Sequence, residues 1–255
     1  MRQGILVFAL LFGLPTAPAS AQPDVDRQRM ERQRARPHYL QGWQHMRVEA
    51  WEEAARSFRH AVDIDREFED AFYGLGRAQM AQRRFVEAIA SYEKSRDLYR
   101  AMAGRRFSNK QDAQRYRRER LDEIDQVLRE YQQGPIDQRL QERARQLMEQ
   151  RRQLKESLDR GNVDGIENTV PGFVSLALGS AYFRAGRLAD AEREYKAAIA
   201  VDSNAGEAHS NLAVVYMETG RLSEAEQAVR AAERAGYKVH PQLKQDIKER
   251  ARGSE

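Results

Sequence analysis

Catalysis and metal binding depend on a few residue types at defined spacings, and this chain offers few of them. It contains no cysteine, which excludes disulfides, thiolate nucleophiles and zinc sites built on sulfur. It has no HExxH pair, no G-x-S-x-G elbow and no glycine-rich phosphate loop. The histidines are His38, His45, His60, His209 and His240. We therefore predict a protein that is not an enzyme and that has no catalytic residues, metal or cofactor.

One short segment, NVDGIEN, is similar to the start of a calcium-binding loop. With Gly165 as the glycine of the sharp turn, Asn162 and Asp164 fall at ligand positions. The first ligand would then be Arg160 and the closing bidentate acid would be Pro171, and neither residue can bind calcium through its side chain. We interpret the segment as a polar turn.

Two stretches are rich in arginine. The second, RRFSNKQDAQRYRRER, holds Arg105, Arg106, Lys110, Arg115, Arg117, Arg118 and Arg120. Phe107 and Tyr116 lie among them, so a patch for a polyanion is one interpretation, and the solvated face of a long helix is the interpretation we prefer. The first, from Arg27 to Arg36, is predicted to be a flexible basic arm.

The first 21 residues have the layout of a secretory signal peptide. Arg2 precedes a run of ten apolar residues, Ile5 to Leu14, and small residues end at Ala21. Retention as a membrane anchor is the alternative, but spanning the hydrocarbon core takes about 20 apolar residues. We expect cleavage before Gln22, which leaves a formal net charge of +3. The protein is then exported, periplasmic or secreted, not transmembrane after cleavage, and nucleic acid is not its partner.

A near-repeat later in the chain predicts the fold. GRLADAE begins at Gly186 and GRLSEAE begins at Gly220, 34 residues later. Small residues recur at the same interval, namely Gly179, Ala191 and Ala198 with Ala213, Ala225 and Ala232. A fixed period of this length with helical spacing inside each unit indicates stacked helix–turn–helix repeats. The two turn glycines lie where a left-handed backbone is favoured.

The same pattern matches two earlier units. The second unit, 69–102, contributes Phe72, Leu75, Gly76, Ala88 and Tyr92, and the first, 35–68, contributes Gly42, Ala54, Phe58 and Ala61. These residues resemble the tetratricopeptide repeat family over four units, about 136 of the 255 residues. The closing proline of that family is missing, and Gln79 replaces its usual aromatic residue. The resemblance implies an all-α helical solenoid.

Between the two pairs of repeats, residues 103–171 depart from the pattern. Ser108 and Gln111 form a capping box, and Gly134 with Pro135 separates two apolar stripes. The stripes are Leu121, Ile124, Leu128 and Tyr131, then Leu140, Ala144, Leu147, Leu154 and Leu158. We predict a long charged helical hairpin, and two degenerate repeats are the alternative.

The sequence thus predicts an ordered series of segments. They are the signal peptide 1–21, a basic arm 22–34, two repeats 35–102, the hairpin insert with its loop 103–171, two repeats 172–239, and a capping helix with a tail 240–255. Val239, Leu243 and Ile247 recur every four residues and give the last helix one apolar stripe. A solenoid needs such a helix to cover its final apolar face.

The resemblance also implies a binding surface, because solenoids of this family bind proteins or peptides along the concave face of their first helices. Carried over by position, the groove residues are Tyr39, Trp43, Met46, Tyr73, Arg77, Met80, Phe173, Leu176, Phe183, Arg184, Asn211, Val214 and Met217. Several of them could instead pack against neighbouring helices. The clamp that some family members use for a chain-terminal carboxylate is absent from its positions.

We therefore expect a non-catalytic adaptor or scaffold of the cell envelope that binds a protein or peptide partner. The first alternative is a structural component that self-associates through the hairpin. The second is a polyanion or cell-wall binder that uses the arginine-rich stretches, whose affinity would fall steeply with added salt.

Overall fold

The computed structural model describes residues 22–103, 109–132, 138–160 and 170–252. Over these ranges the chain forms eleven α-helices, which confirms the predicted all-α fold. They are α1 (Gln22–Arg47), α2 (Trp51–Ile64), α3 (Glu69–Ala81), α4 (Phe85–Ala103), α5 (Lys110–Gln132), α6 (Gln138–Arg160), α7 (Gly172–Arg184), α8 (Leu188–Val201), α9 (Gly206–Glu218), α10 (Leu222–Arg234) and α11 (Pro241–Arg252). The predicted signal peptide, Ser108, the Gly134-Pro135 break and the NVDGIEN turn lie outside the described ranges. No helix in the described ranges is both long and apolar enough to span a bilayer.

Four helix pairs, α1–α2, α3–α4, α7–α8 and α9–α10, form the repeats. In the first two pairs a ring of the second helix packs against the backbone of the first. A Cβ atom added at Gly42 would lie 2.6 Å from the Phe58 ring, and one added at Gly74 would lie 2.5 Å from the same ring. Gly76 and Tyr92 meet in the same way at 2.6 Å. These contacts leave no room for a side chain, so glycine fixes how closely the helices approach.

The turn inside each repeat places one residue in the left-handed region. Gly186 and Gly220 have φ of 76° and 74°, as their positions predicted. At the equivalent places in the first two repeats stand Glu49, with φ of 57°, and Arg83, with φ of 61°. Because a Cβ atom is disfavoured there, these two turns carry strain that the glycine turns do not.

The solenoid is continuous across the insert, because α4 packs directly against α7. The Arg96 guanidinium lies 2.8 Å from a Glu194 carboxylate oxygen, and the Tyr182 hydroxyl donates a hydrogen bond to Glu93. The second and third repeats are thus neighbours in space although residues 103–171 separate them in sequence. Two degenerate repeats in the insert are excluded, because no gap remains in the stack for them.

The insert contains α5 and α6, helices of 23 residues each that pack against one another in antiparallel orientation. Arg151 on α6 pairs with Asp125 on α5 at 2.6 Å, and Leu147 is buried. The N-terminal cap of α5 is Asn109, whose Oδ1 accepts a hydrogen bond from the Asp112 backbone N–H at 2.9 Å. This cap lies one residue later than the predicted capping box, and the Asn109 side-chain amide also donates a hydrogen bond of 2.8 Å to the Asp112 carboxylate.

The two ends of the described chain are helical. The expectation that residues 22–34 form a flexible arm is wrong, because α1 runs without a break from Gln22 to Arg47 and contains Pro37. At the other end Leu243 and Ile247 of α11 are buried against the last repeat, as expected for a capping helix.

The strained turns generate a prediction about stability. Replacing Arg83, which is exposed, by glycine removes the Cβ penalty and should raise the free energy of unfolding by about 0.5–1 kcal/mol, net of the larger entropy of glycine in the unfolded chain. The control is Gly186→Ala, at a site with open space around the glycine, which should lower stability by a similar amount. Urea melts of both variants provide the measurement. A destabilised Arg83→Gly variant would contradict the conclusion that the turn at Arg83 is strained.

Candidate functional site

The predicted groove residues lie on α1, α3, α7 and α9, the first helices of the four repeats. Successive first helices contact one another, α1 with α3, α3 with α7, and α7 with α9. They therefore line one continuous face of the solenoid. The structure divides this face into a half that is filled by the hairpin and a half that is open.

In the first two repeats the groove is filled. Tyr39, Trp43 and Tyr73 are each exposed by 3% or less, and Met46 is also buried. The Trp43 ring lies 5.9 Å from the ring of Tyr131 on α5. The expectation that these four residues line an open surface is wrong, because all four are buried and α5 of the hairpin covers Trp43. The ring of Tyr39 packs against Phe58 and Phe68, and that of Tyr73 packs against Tyr92 and Phe173.

Two further predicted groove residues are buried for other reasons. Phe173 packs between Tyr73 and Tyr99, with ring centroids 4.9 and 6.3 Å away, and so joins the second repeat to the third. Met217 is buried near the end of α9, where its carbonyl oxygen accepts a hydrogen bond of 3.1 Å from Arg250 on α11. Both were expected to be exposed, and both instead stabilise contacts between helices.

The remaining predicted residues are accessible to different degrees. Arg77 and Met80 are half-buried, and the Arg77 guanidinium donates a hydrogen bond to the Tyr73 hydroxyl at 3.4 Å. In the third and fourth repeats the half-buried residues are Leu176, Phe183, Asn211 and Val214, and Arg184 is exposed. We call these last five residues the open groove; whether they bind a partner stays a prediction.

A cluster of buried charges holds α5 on the first two repeats. Arg120 of α5 lies 2.9 Å from Glu69 and 3.2 Å from Asp70, both on α3, and 2.6 Å from Glu123 on its own helix. Arg36 of α1 lies 3.2 Å from Glu123. Each side chain in this cluster is less than a quarter exposed. We call it the ion cluster.

A second arginine of α1 extends the ion cluster. Arg32 lies 3.0 Å from Glu69, pairs with Asp65, and donates a hydrogen bond of 2.8 Å to the Glu67 carbonyl oxygen. Burial raises the pKa of Glu69, against the opposing effect of the charges on Arg120 and Arg32. Breaking such a buried pair typically costs about 3–5 kcal/mol, because the remaining partner is left without compensation.

The ion cluster corrects the interpretation of the arginine-rich stretches. We expected Arg117 and Arg120 on a solvated helix face or in a polyanion patch, and both are buried. Arg32 and Arg36, from the expected basic arm, are engaged with carboxylates of the same chain. Arg118 of α5 is exposed, as the solvated-face interpretation requires. The arginines of this stretch are therefore buried or exposed according to the side of the helix on which each one lies.

Sequence reasoning missed the carboxylates that receive Arg120. The sequence does contain a sign of these carboxylates. Glu69 and Asp70 begin a helix at a place where a repeat is expected to bury apolar surface rather than charge. Two adjacent acids at a packed helix end indicate a cationic partner. Among the described residues no group of three or more histidine, aspartate or glutamate side chains could hold a metal ion.

The two phenylalanines of α7 give a direct test of core against groove. Phe173→Ala should lower the free energy of unfolding by about 3–5 kcal/mol, since it empties a buried contact between repeats. Phe183→Ala, at a half-buried position on the same helix, should cost only about 1 kcal/mol. Thermal and urea melts followed by circular dichroism provide the measurement, and equal losses would show that Phe183 is also core.

The family model described as tetratricopeptide repeat matches residues 39–103 and 176–237. Similar solved structures include a thermophilic repeat protein of Thermus thermophilus, with 20% identity and a TM-score of 0.32, covering 88% of this chain and 98% of that one. PilF of Pseudomonas aeruginosa has 18% identity and a TM-score of 0.32, with 81% and 79% covered. No curated protein matches the chain. The matched ranges lie on the four stacked helix pairs and leave out the hairpin, and the chain belongs to the tetratricopeptide repeat family.

Proposed function

We propose that this protein is a non-catalytic adaptor of the cell envelope that binds a protein or peptide through its open groove. The observation that carries the proposal is the uneven burial of one continuous face. Tyr39, Trp43 and Tyr73 are buried in the half that the hairpin fills, whereas Phe183 and Val214 remain accessible on α7 and α9. Repeat solenoids use such concave faces as extended binding surfaces.

The chemistry of the open groove suits a peptide with apolar anchors. Leu176, Phe183 and Val214 contribute partly buried apolar surface that packs against the core. Arg184 and Asn211 provide polar groups beside it, and the Arg184 guanidinium lies 5.2 Å from the centre of the Phe85 ring. A small apolar centre with a polar rim is the arrangement found at protein interfaces, where a few anchors supply most of the affinity.

The partner is to be identified by affinity capture from envelope extract, with residues 22–255 as bait. Affinity for the purified partner should then fall by about 30-fold or more in Phe183→Ala, the loss typical of an interface anchor. The matched control is Val86→Ala, which truncates an exposed apolar side chain on α4, a second helix of its repeat. Equal affinities of the two variants would show that the partner binds elsewhere.

The envelope location rests on the sequence of residues 1–21. We expect protein recovered from the envelope to begin at Gln22, because the expected cleavage site follows Ala21. Intact mass or N-terminal sequencing provides the measurement, and a retained Met1 would contradict export through a cleaved signal peptide. Self-association through the hairpin stays a prediction, which the solution mass at several concentrations tests.

A further inference from the structure

The hairpin takes no part in the stack of repeats that it interrupts. The second and third repeats meet where α4 packs against α7. The pair Arg96–Glu194 also joins α4 to α8, and the rings of Tyr73 and Phe173 join α3 to α7. Helix α5 is added to this stack on its concave face, the face that binds partners under the proposed function. It therefore has the position of a ligand rather than of a structural layer.

The orientation of α5 in the groove is well defined. Arg29 pairs with Glu119 at 2.7 Å, Arg36 lies 3.2 Å from Glu123, and the ring of Trp43 meets that of Tyr131. Residue numbers increase together along the two helices, so α5 runs parallel to α1. The first half of the groove is thus shaped to hold one α-helix along the direction of the first helices.

One stripe of α5 is buried, and it meets the repeats through Arg120 and Tyr131. Its residues recur every three or four positions and are Ala113, Arg117, Arg120, Ile124, Val127 and Tyr131, and Glu123 of the ion cluster is buried beside it. From Arg120 onward they give a cation, two aliphatic residues and an aromatic residue at positions i, i+4, i+7 and i+11. This spacing keeps all four side chains on one side of a helix.

Part of the contact between α5 and the repeats is ionic, and the carboxylates that receive Arg120 belong to the repeats. Glu69 and Asp70 stay on α3 whether or not α5 is bound, and any helix that brings an arginine to the same place satisfies them equally well. A buried ion pair often contributes little net stability, because the desolvation of both charges offsets their attraction. Because α5 is tethered, it competes for the groove at an effective concentration on the order of millimolar. A partner helix that makes additional contacts can bind tightly enough to displace it.

We propose that the first half of the groove is a helix-binding site that α5 fills in this conformation and that a helix of the partner protein takes by displacing α5. The partner helix carries an arginine, two aliphatic residues and an aromatic residue with the spacing of Arg120, Ile124, Val127 and Tyr131. The proposal rests on the proposed function, because it assigns the partner to the same concave face. The ion cluster is the contact that the partner must replace.

The test uses the full chain and a labelled synthetic peptide of residues 109–132, acetylated and amidated at its ends. In the variant Ile124→Asp the tethered α5 carries a charge at a position that is 2% exposed, and the groove should be vacated. The peptide, which keeps Ile124, should bind this variant at least about tenfold more tightly than it binds the unaltered chain, as measured by fluorescence anisotropy. The control host is Arg118→Asp, which places the charge at an exposed position of α5 and should behave as the unaltered chain.

Changes in the peptide test the ion cluster. A peptide with Arg120→Gln should bind the Ile124→Asp host at least about tenfold more weakly than one with Arg118→Gln. Equal affinity of these two peptides, equal affinity of the native peptide for both hosts, or no binding to a host with a cooperative melting transition would each overturn the proposal. If Ile124→Asp does not fold, Tyr131→Ala serves as the host.

Fluorescence of the host reports where the peptide binds. Trp43 and Trp51 are the tryptophans of the chain, so Trp51→Phe leaves Trp43 as the single emitter beside the site. Peptide binding should protect Trp43 from acrylamide quenching in the Ile124→Asp host. A concentration-dependent dimer of the unaltered chain that Arg120→Gln dissociates would assign the site to α5 of a second copy and overturn the proposal.

Phe183→Ala keeps the two proposals apart. It alters only the open groove, so it should leave peptide affinity unchanged even if it abolishes capture of the partner. Loss of capture with normal peptide binding supports both proposals. Loss of capture by Phe183→Ala together with no peptide binding to the Ile124→Asp host overturns the helix-binding site alone, and normal capture by Phe183→Ala overturns the proposed function.

Discussion

The packing of an aromatic ring on a glycine is the contact on which the rest of the fold depends. Phe58 lies between Gly42 of its own repeat and Gly74 of the next, and no Cβ atom fits at either place. The contact fixes both the distance within a repeat and the distance between repeats. Because these distances are fixed, the first helices fall into one row and their outward residues share one face. The 34-residue period is the sequence record of that constraint.

The same constraint determines how the insert leaves and re-enters the stack. Phe173 at the start of α7 must reach Tyr73 and Tyr99 for the third repeat to pack on the second. The chain therefore has to return close to the point where α4 ends. Two antiparallel helices of 23 residues each achieve this, since the second cancels the rise of the first. Because α6 brings the chain back in this way, α5 lies over the first helices of the repeats and not in the row that they form.

The sequence predicted the repeats well, because the residues that form them are small or aromatic at fixed intervals. Gly186 and Gly220 were placed in left-handed turns, but Glu49 and Arg83 could not be, since nothing in their side chains indicates that backbone. The groove was predicted less well. Position in the repeat shows that Trp43 faces the concave side, but not that Tyr131 covers it, because that contact joins residues far apart in sequence.

Charge explains why the covered half of the groove selects its occupant. With α5 in place, Arg120 pairs with Glu69 and Asp70, which are almost fully buried, and Arg32 of α1 also pairs with Glu69. An entirely apolar helix in the same position would bury these carboxylates without that cation, at a cost of several kcal/mol. A helix with an acid in that place would add repulsion to the cost of desolvation. The buried carboxylates of Glu69 and Asp70 thus disfavour amphipathic helices that lack a cation at this position. The apolar contacts around Trp43 supply affinity to the helices that carry one.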